Sequence, residues 1–133
     1  RRSRRRKKAG KMATGIHESG EMYLEHILNL EQELGQVRSV DISQRTGYSK
    51  PSVSRAVGLL RKNRLIDIDG VGYITLTDAG RRIATRIYER HECLTAIFVS
   101  LGVPRDIAVQ DACKIEHDIS EETFHALRSH FGK

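Results

Sequence analysis

Cys113, Glu116 and His117 stand at i, i+3 and i+4 in a stretch with helical patterning. On a helix that spacing sets a thiol, a carboxylate and an imidazole on one face, within reach of one ion. The set reads in two ways. It is either a ligand group for a divalent transition ion, or a buried cysteine beside a solvated Glu–His pair. Nucleophilic catalysis by Cys113 with His117 as base lacks its other parts. The two sit one turn apart on a single helix, with no Gly-rich turn for an oxyanion and no phosphate loop. The chain is therefore not read as an enzyme, and no small organic substrate is expected. Cys93 and Cys113, 20 residues apart with helical sequence between them, make no disulfide framework. Reduced thiols and a cytoplasmic location are the expectation.

A second group of residues has the chemistry to read a duplex. Ser49, Lys50, Pro51, Ser52, Ser54 and Arg55 open one predicted helix with small, polar or cationic side chains. Small residues allow close approach to a groove, and Lys50 and Arg55 reach phosphates or guanine edges. Arg38, Arg61 and Lys62 flank that helix and are placed to hold the DNA backbone. Asp67 and Asp69 on the following hairpin argue against heavy phosphate contact there.

The elements that must carry these residues follow from periodicity. Tyr23, Ile27, Leu30 and Leu34, widened by Leu24 and Leu28, mark one helix face over 18–34, and Gly35 stops it. A short helix is predicted from Val40 to Thr46 with Ser39 as N-cap, then a turn at Gly47. Ser49 caps the next helix, with Pro51 in its first turn and Val53, Val57 and Leu60 as its buried stripe, to about Asn63. Strands at 65–69 and 73–76 flank Asp69-Gly70, a hairpin signal. Thr77 caps a long helix to about Leu101, Pro104 opens a fifth reaching about Asp118, and Ser120 caps a sixth. The fold class expected is mainly α with a small β-hairpin wing: a winged helix-turn-helix plus a helical region.

The net charge of the 133 residues is +6, but eight of the 23 basic residues fall within the first eleven positions. The rest has 15 basic against 17 acidic residues. The arm at 1–17 is either a solvated tail or a phosphate-grazing extension that adds affinity without specificity. No apolar run approaches the ~20 residues of a membrane span, so no membrane partner is expected.

Several spaced segments resemble one family. They are Glu21-Met22-Tyr23-Leu24-Glu25, Ser49-Lys50-Pro51-Ser52-Val53-Ser54, Leu76-Thr77-Asp78-Ala79-Gly80, Arg90-His91-Glu92, and Asp111-Ala112-Cys113-Lys114-Ile115-Glu116-His117. In order and spacing the chain resembles the diphtheria-toxin-repressor and manganese-transport-regulator family of metal-dependent repressors. The resemblance implies a homodimer on double-stranded operator DNA, activated by Fe2+ or Mn2+. It implies a first ion held by Met22, Cys113, Glu116 and His117, the iron-type set. Glu25 and His91 match positions that serve a second ion in manganese-type members. Cys113 replaces a carboxylate that bridges two ions there, and Thr95 and Val109 replace ligands of the iron-type ancillary site. The domains expected are a winged helix-turn-helix at 18–80 and a dimerisation and metal-binding region at 81–133, without the SH3-like third domain of larger members. Ile97, Phe98, Leu101, Ile107, Ile115 and Phe124 are apolar in excess of what the reading head needs, which suits a dimer. The rival reading is a metal-independent winged-helix regulator that senses a small molecule or thiol oxidation.

Overall fold

A computed structural model describes residues 18–131; the basic arm lies outside them. The elements are α1 (Glu18–Leu34), α2 (Ser39–Thr46), α3 (Lys50–Lys62), β1 (Ile66–Ile68), β2 (Ile74–Leu76), α4 (Asp78–Ser100), α5 (Arg105–Ile115) and α6 (Glu121–Phe131). The chain divides into two compact units, one ending at Thr85 and the other beginning at Arg86, so the division falls within α4. This is the mainly helical winged arrangement that the patterning implied.

In the first unit α1 buries Tyr23, Leu24, Ile27, Leu28 and Leu30. Leu34, expected on that face, is 55% exposed. It is the last helical residue, and Gly35 (φ 83°) turns the chain away directly after it. α2 starts one residue earlier than expected, and its cap is Arg38 rather than Ser39. The Arg38 N–H donates to Asp41 Oδ2 at 2.8 Å, and the Asp41 N–H returns to the Arg38 carbonyl at 3.0 Å. This reciprocal pairing satisfies two of the donors that a helix start leaves orphaned. Ser49 caps α3 as expected, accepting from the Ser52 N–H at 3.2 Å. Val53, Val57 and Leu60 are buried in sequence with the helical period.

β1 and β2 pair antiparallel with Ile66 opposite Leu76 and Ile68 opposite Ile74. Both strands are shorter than expected. Asp69 belongs to the turn: its Oδ1 accepts from the N–H groups of Val71, Gly72 and Tyr73, each at 2.9 Å. The positive φ of the loop falls on Gly72 (103°), not on Gly70. Val37, read only as connecting chain, pairs with Ile74, whose N–H donates to the Val37 carbonyl at 2.7 Å.

Thr77 caps α4 by accepting from the Gly80 N–H at 3.1 Å, and its hydroxyl donates to the Arg64 carbonyl at 2.8 Å. Gly80 is packed so tightly that a Cβ there would lie 2.0 Å from the Leu65 carbonyl oxygen. Arg81 forms a two-armed ion pair with Glu31, at 2.8 and 3.1 Å, joining α1 to the first turn of α4.

The second unit has its own core, made by Leu94, Ala112 and Phe124 with Cys93, Phe98, Ile115, Ile119 and Leu127 packed against it. Four of the six residues expected to be spare for a partner are therefore spent inside the chain. Phe98, Ile115 and Phe124 join this cluster, and Ile97 is 4% exposed. Leu101 and Ile107 stay exposed, at 62% and 46%.

Candidate metal centre and DNA-facing surface

α5 does not run to Asp118. It ends at Ile115, with Glu116 as its C-cap and the Glu116 N–H bonded to the Ala112 carbonyl at 3.0 Å. The N–H groups of Asp118 and Ile119 both return to the Ile115 carbonyl, at 3.0 and 3.1 Å, closing a tight turn. The turn beyond the stop is held by a residue 26 positions upstream of Glu116. Arg90, 6% exposed, donates through Nη1 to the carbonyls of Glu116 (3.0 Å) and Ile119 (2.9 Å), and through Nη2 to the Glu121 carboxylate. Carbonyls that continued helix would have bonded internally are bonded to this guanidinium instead. Glu116 keeps helical torsions (φ −61°, ψ −25°), so the spacing read from the sequence still sets it on the Cys113 side.

The arrangement reverses the bland expectation for this trio. Cys113 is exposed, whereas Glu116 is fully buried. His91 on α4 lies against Glu116, with Nδ1 at 2.9 Å from Oε2. The other carboxylate oxygen, Oε1, is 3.3 Å from His117 Nε2. Donor atoms of His91, Cys113 and Glu116 all lie within 4.8 Å of one another. The Cys113 sulfur and the Glu116 carboxylate push His91 up to about 10, against the lowering effect of its burial. A buried carboxylate facing an imidazole and a sulfur is costly unless a cation or proton offsets it. Imidazole nitrogen, sulfur and carboxylate are also the donors that first-row divalent ions accept. The residues present fit such an ion.

Two further sequence candidates lie in the first unit. Met22 is half-buried, and its Sδ accepts from the Tyr48 hydroxyl at 3.5 Å. Glu25 is 8% exposed.

The residues read from the sequence as DNA contacts lie on and beside α3, apart from Arg38 at the start of α2. Ser49, Lys50, Pro51, Ser54, Arg55 and Lys62 are exposed along α3, and Ser52 is partly so. A groove beside Lys50 and Ser54 is lined also by Ser39, Val40, Ser43 and Val53. Arg38 is exposed but engaged. Its Nη2 donates to the Val71 carbonyl at 3.2 Å, and its guanidinium lies 5.5 Å from the Tyr73 ring centroid. Arg38 thus pins the hairpin to the start of α2.

Sequence reasoning missed two residues, Arg90 and Tyr48. The first sits directly before a candidate ligand, within a segment that carries the resemblance, but nothing in the sequence marks it as buried. Tyr48 gives none beyond its place in the turn, where the Ser43 hydroxyl donates to its carbonyl at 2.8 Å.

Two family models match nearly the whole described chain. "Iron dependent repressor, N-terminal DNA binding domain" matches residues 16–72, and "Iron dependent repressor, metal binding and dimerisation domain" matches 77–133. The transcriptional regulator MntR of Escherichia coli is 37% identical over 106 residues, covering 80% of this chain and 68% of the relative. The iron-dependent repressor IdeR of Mycobacterium tuberculosis is 31% identical over 108 residues, covering 80% and 47%. Among solved structures, a manganese-dependent transcriptional repressor in complex with manganese superposes with a TM-score of 0.74 at 29% identity, covering 85% of this chain and 52% of that one. The manganese regulator SloR, at 24% identity and a TM-score of 0.76, shares the fold; this chain spans 53% of its length.

Proposed function

The chain belongs to the iron-dependent repressor family, and from that membership we propose that it represses transcription by binding operator DNA as a homodimer when charged with Fe2+ or Mn2+. The observation that carries this reading is the convergence of His91, Cys113 and the buried Glu116 on one point. The ligand set proposed is Met22, Glu25, His91, Cys113, Glu116 and His117. Thiolate and thioether tilt it towards Fe2+ over Mn2+. Glu116, with one oxygen towards each histidine, is the group suited to serve two ions. When bound, a divalent ion supplies the positive charge that offsets Glu116 and competes with the proton on His91.

The proposed roles divide at residue 80. Residues 18–80 read DNA, with Arg38, Ser49, Lys50, Pro51, Ser52, Ser54, Arg55 and Lys62 as the contact set; 81–133 bind metal and dimerise. Since the ligands come from both parts, binding favours one arrangement of reading head and dimer core. In a dimer that arrangement spaces the two copies of α3 by about one DNA turn, ~34 Å. The ion acts only through its differential affinity for that state, on a scale of ~1–3 kcal/mol. Among the described residues no helix is long and apolar enough to cross a membrane; a cytoplasmic protein is the reading that suits a DNA-binding repressor.

The test is DNA retention with and without metal. Replacing both Glu116 and His117 by Ala abolishes metal stimulation, a loss of about 5–150-fold in operator affinity. Operator binding by that variant that still rises with Mn2+ or Fe2+ overturns the site.

A further inference from the structure

Among the described residues of the second unit, Arg90 is the one charged side chain that is buried without being a candidate ligand. Its bonds end on the turn that carries two candidate ligands. We propose that Arg90 is a positioning residue for the metal centre: its guanidinium fixes the backbone of the 116–119 turn and so aims the Glu116 carboxylate at His91 and Cys113. The inference rests on the reading of those three residues as metal ligands.

Three observations support it. The two carbonyls that Arg90 holds, Glu116 and Ile119, bracket His117, so the clamp closes over both ligand-bearing positions. Arg90 precedes His91, so one turn of α4 delivers a ligand and the clamp for two others. The guanidinium is itself held, by Glu121 on one side and by the Phe124 ring at a centroid distance of 5.2 Å on the other. Glu121 lies below the usual carboxylate range chiefly because Arg90 donates to it, so that contact stays charged at neutral pH. A planar fork can span two carbonyls and a carboxylate at once; a lysine ammonium on its flexible stem serves one or two and fixes no plane.

The experiment titrates the full chain with Co2+, following the thiolate-to-cobalt charge-transfer band and the visible ligand-field bands. Circular dichroism and the melting temperature of the metal-free protein are measured alongside. Arg90→Lys should keep the helical signal and bind Co2+ about 10- to 100-fold more weakly, the usual effect of losing a residue that orients ligands. Arg90→Ala should be at least as weak. Glu121→Gln, at an exposed position, should fold normally and weaken binding by a smaller factor. Leu127→Ala, which loosens the same unit's core but removes none of the Arg90 bonds, should lower the melting temperature and weaken Co2+ binding far less than the Arg90 variants.

Wild-type affinity and an unchanged spectrum in Arg90→Lys or in folded Arg90→Ala overturn the proposal. So does a loss of affinity in Leu127→Ala equal to that in the Arg90 variants. Should Arg90→Ala not fold, Arg90→Lys and Glu121→Gln decide the matter. Failure of the underlying site looks different: a wild-type chain that takes up no Co2+, or a charge-transfer band that survives Cys113→Ser, removes the ligand assignment and this inference together.

Discussion

Glu116 concentrates the chemistry of this chain in one carboxylate, with an imidazole on each oxygen. Part of that was legible from spacing. Cys113, Glu116 and His117 are one helical turn apart, and a period of 3.6 residues suffices to group them. His91 lies 25 residues from Glu116, and no local period connects them; only the family resemblance brought it forward. Arg90 was out of reach, since a buried arginine and a solvated one look alike in a helical pattern. Arg38, read as a cation for the DNA backbone, has a second task that spacing did not show: its guanidinium engages Val71 and Tyr73 of the hairpin. Arg64 offers a test at this scale. It is the one described non-glycine residue with positive φ, 61°, just past the end of α3. A left-handed residue there normally is glycine, and a side chain in that region costs roughly 1–2 kcal/mol. Arg64→Gly should raise stability by about 0.5–1 kcal/mol after the entropy of the extra freedom is subtracted. Urea denaturation measures it, and a lower midpoint contradicts it.

Elements were most legible where a local cap decides them. Ser49, Thr77 and Ser120 each accept from an N–H three residues on, as their types and positions implied. They were least legible where a distant group decides. The turn after α5 is held by Arg90, and the strand-like stretch at Val37 exists because Ile74 needs an acceptor. The packing of α4 on Leu65, the residue before β1, gives a prediction whose sign is set by magnitude. In an open helix Gly→Ala gains about 1 kcal/mol. At Gly80 the new Cβ would meet a backbone carbonyl at 2.0 Å, which flexible side-chain motion cannot relieve. Gly80→Ala should therefore cost at least about 1–3 kcal/mol, read as a lower melting temperature. The wing turn has a pH dependence. The Tyr73 N–H foremost, with those of Val71 and Gly72, holds the Asp69 carboxyl below its ordinary value of 3.8. A depressed folded-state pKa gives a contribution that is complete above the unfolded value and lost as pH falls through the folded one. Amide exchange at Val71, Gly72 and Tyr73, corrected for its intrinsic pH dependence, should accelerate only in acid. In Asp69→Ala it should be fast already at pH 7.

At the scale of the molecule, composition spoke clearly and apolar content misled. The excess of basic residues belongs to the first eleven positions, and the remainder is close to neutral. The surplus of hydrophobic residues from Ile97 onward was mostly not surplus, since Phe98, Ile115 and Phe124 close the second unit's own core. A pattern of apolar positions cannot tell a self-contained core from half of a shared one. Val99 and Phe131 are exposed in the same unit, and of the six residues read as spare, Leu101 and Ile107 stay exposed. Replacing both with Glu should shift the chain from dimer to monomer in sedimentation at micromolar concentration. Operator affinity should then fall on the order of 10²-fold or more, the loss expected when two linked heads become one. A variant that stays dimeric with unchanged affinity places the interface elsewhere.

Along α3 the residues that hold the helix and those that face outward are separate sets: Val53, Val57 and Leu60 are buried, while Lys50, Pro51, Ser54 and Arg55 are exposed. Exposed substitutions away from caps and cores rarely shift stability by more than ~0.5 kcal/mol. On the proposed reading of α3 as the helix that meets DNA, mutation can thus explore new base preferences on this surface with little risk to the scaffold. A lineage, or an engineer, could retarget such a protein to a different promoter while leaving its ion sensing intact.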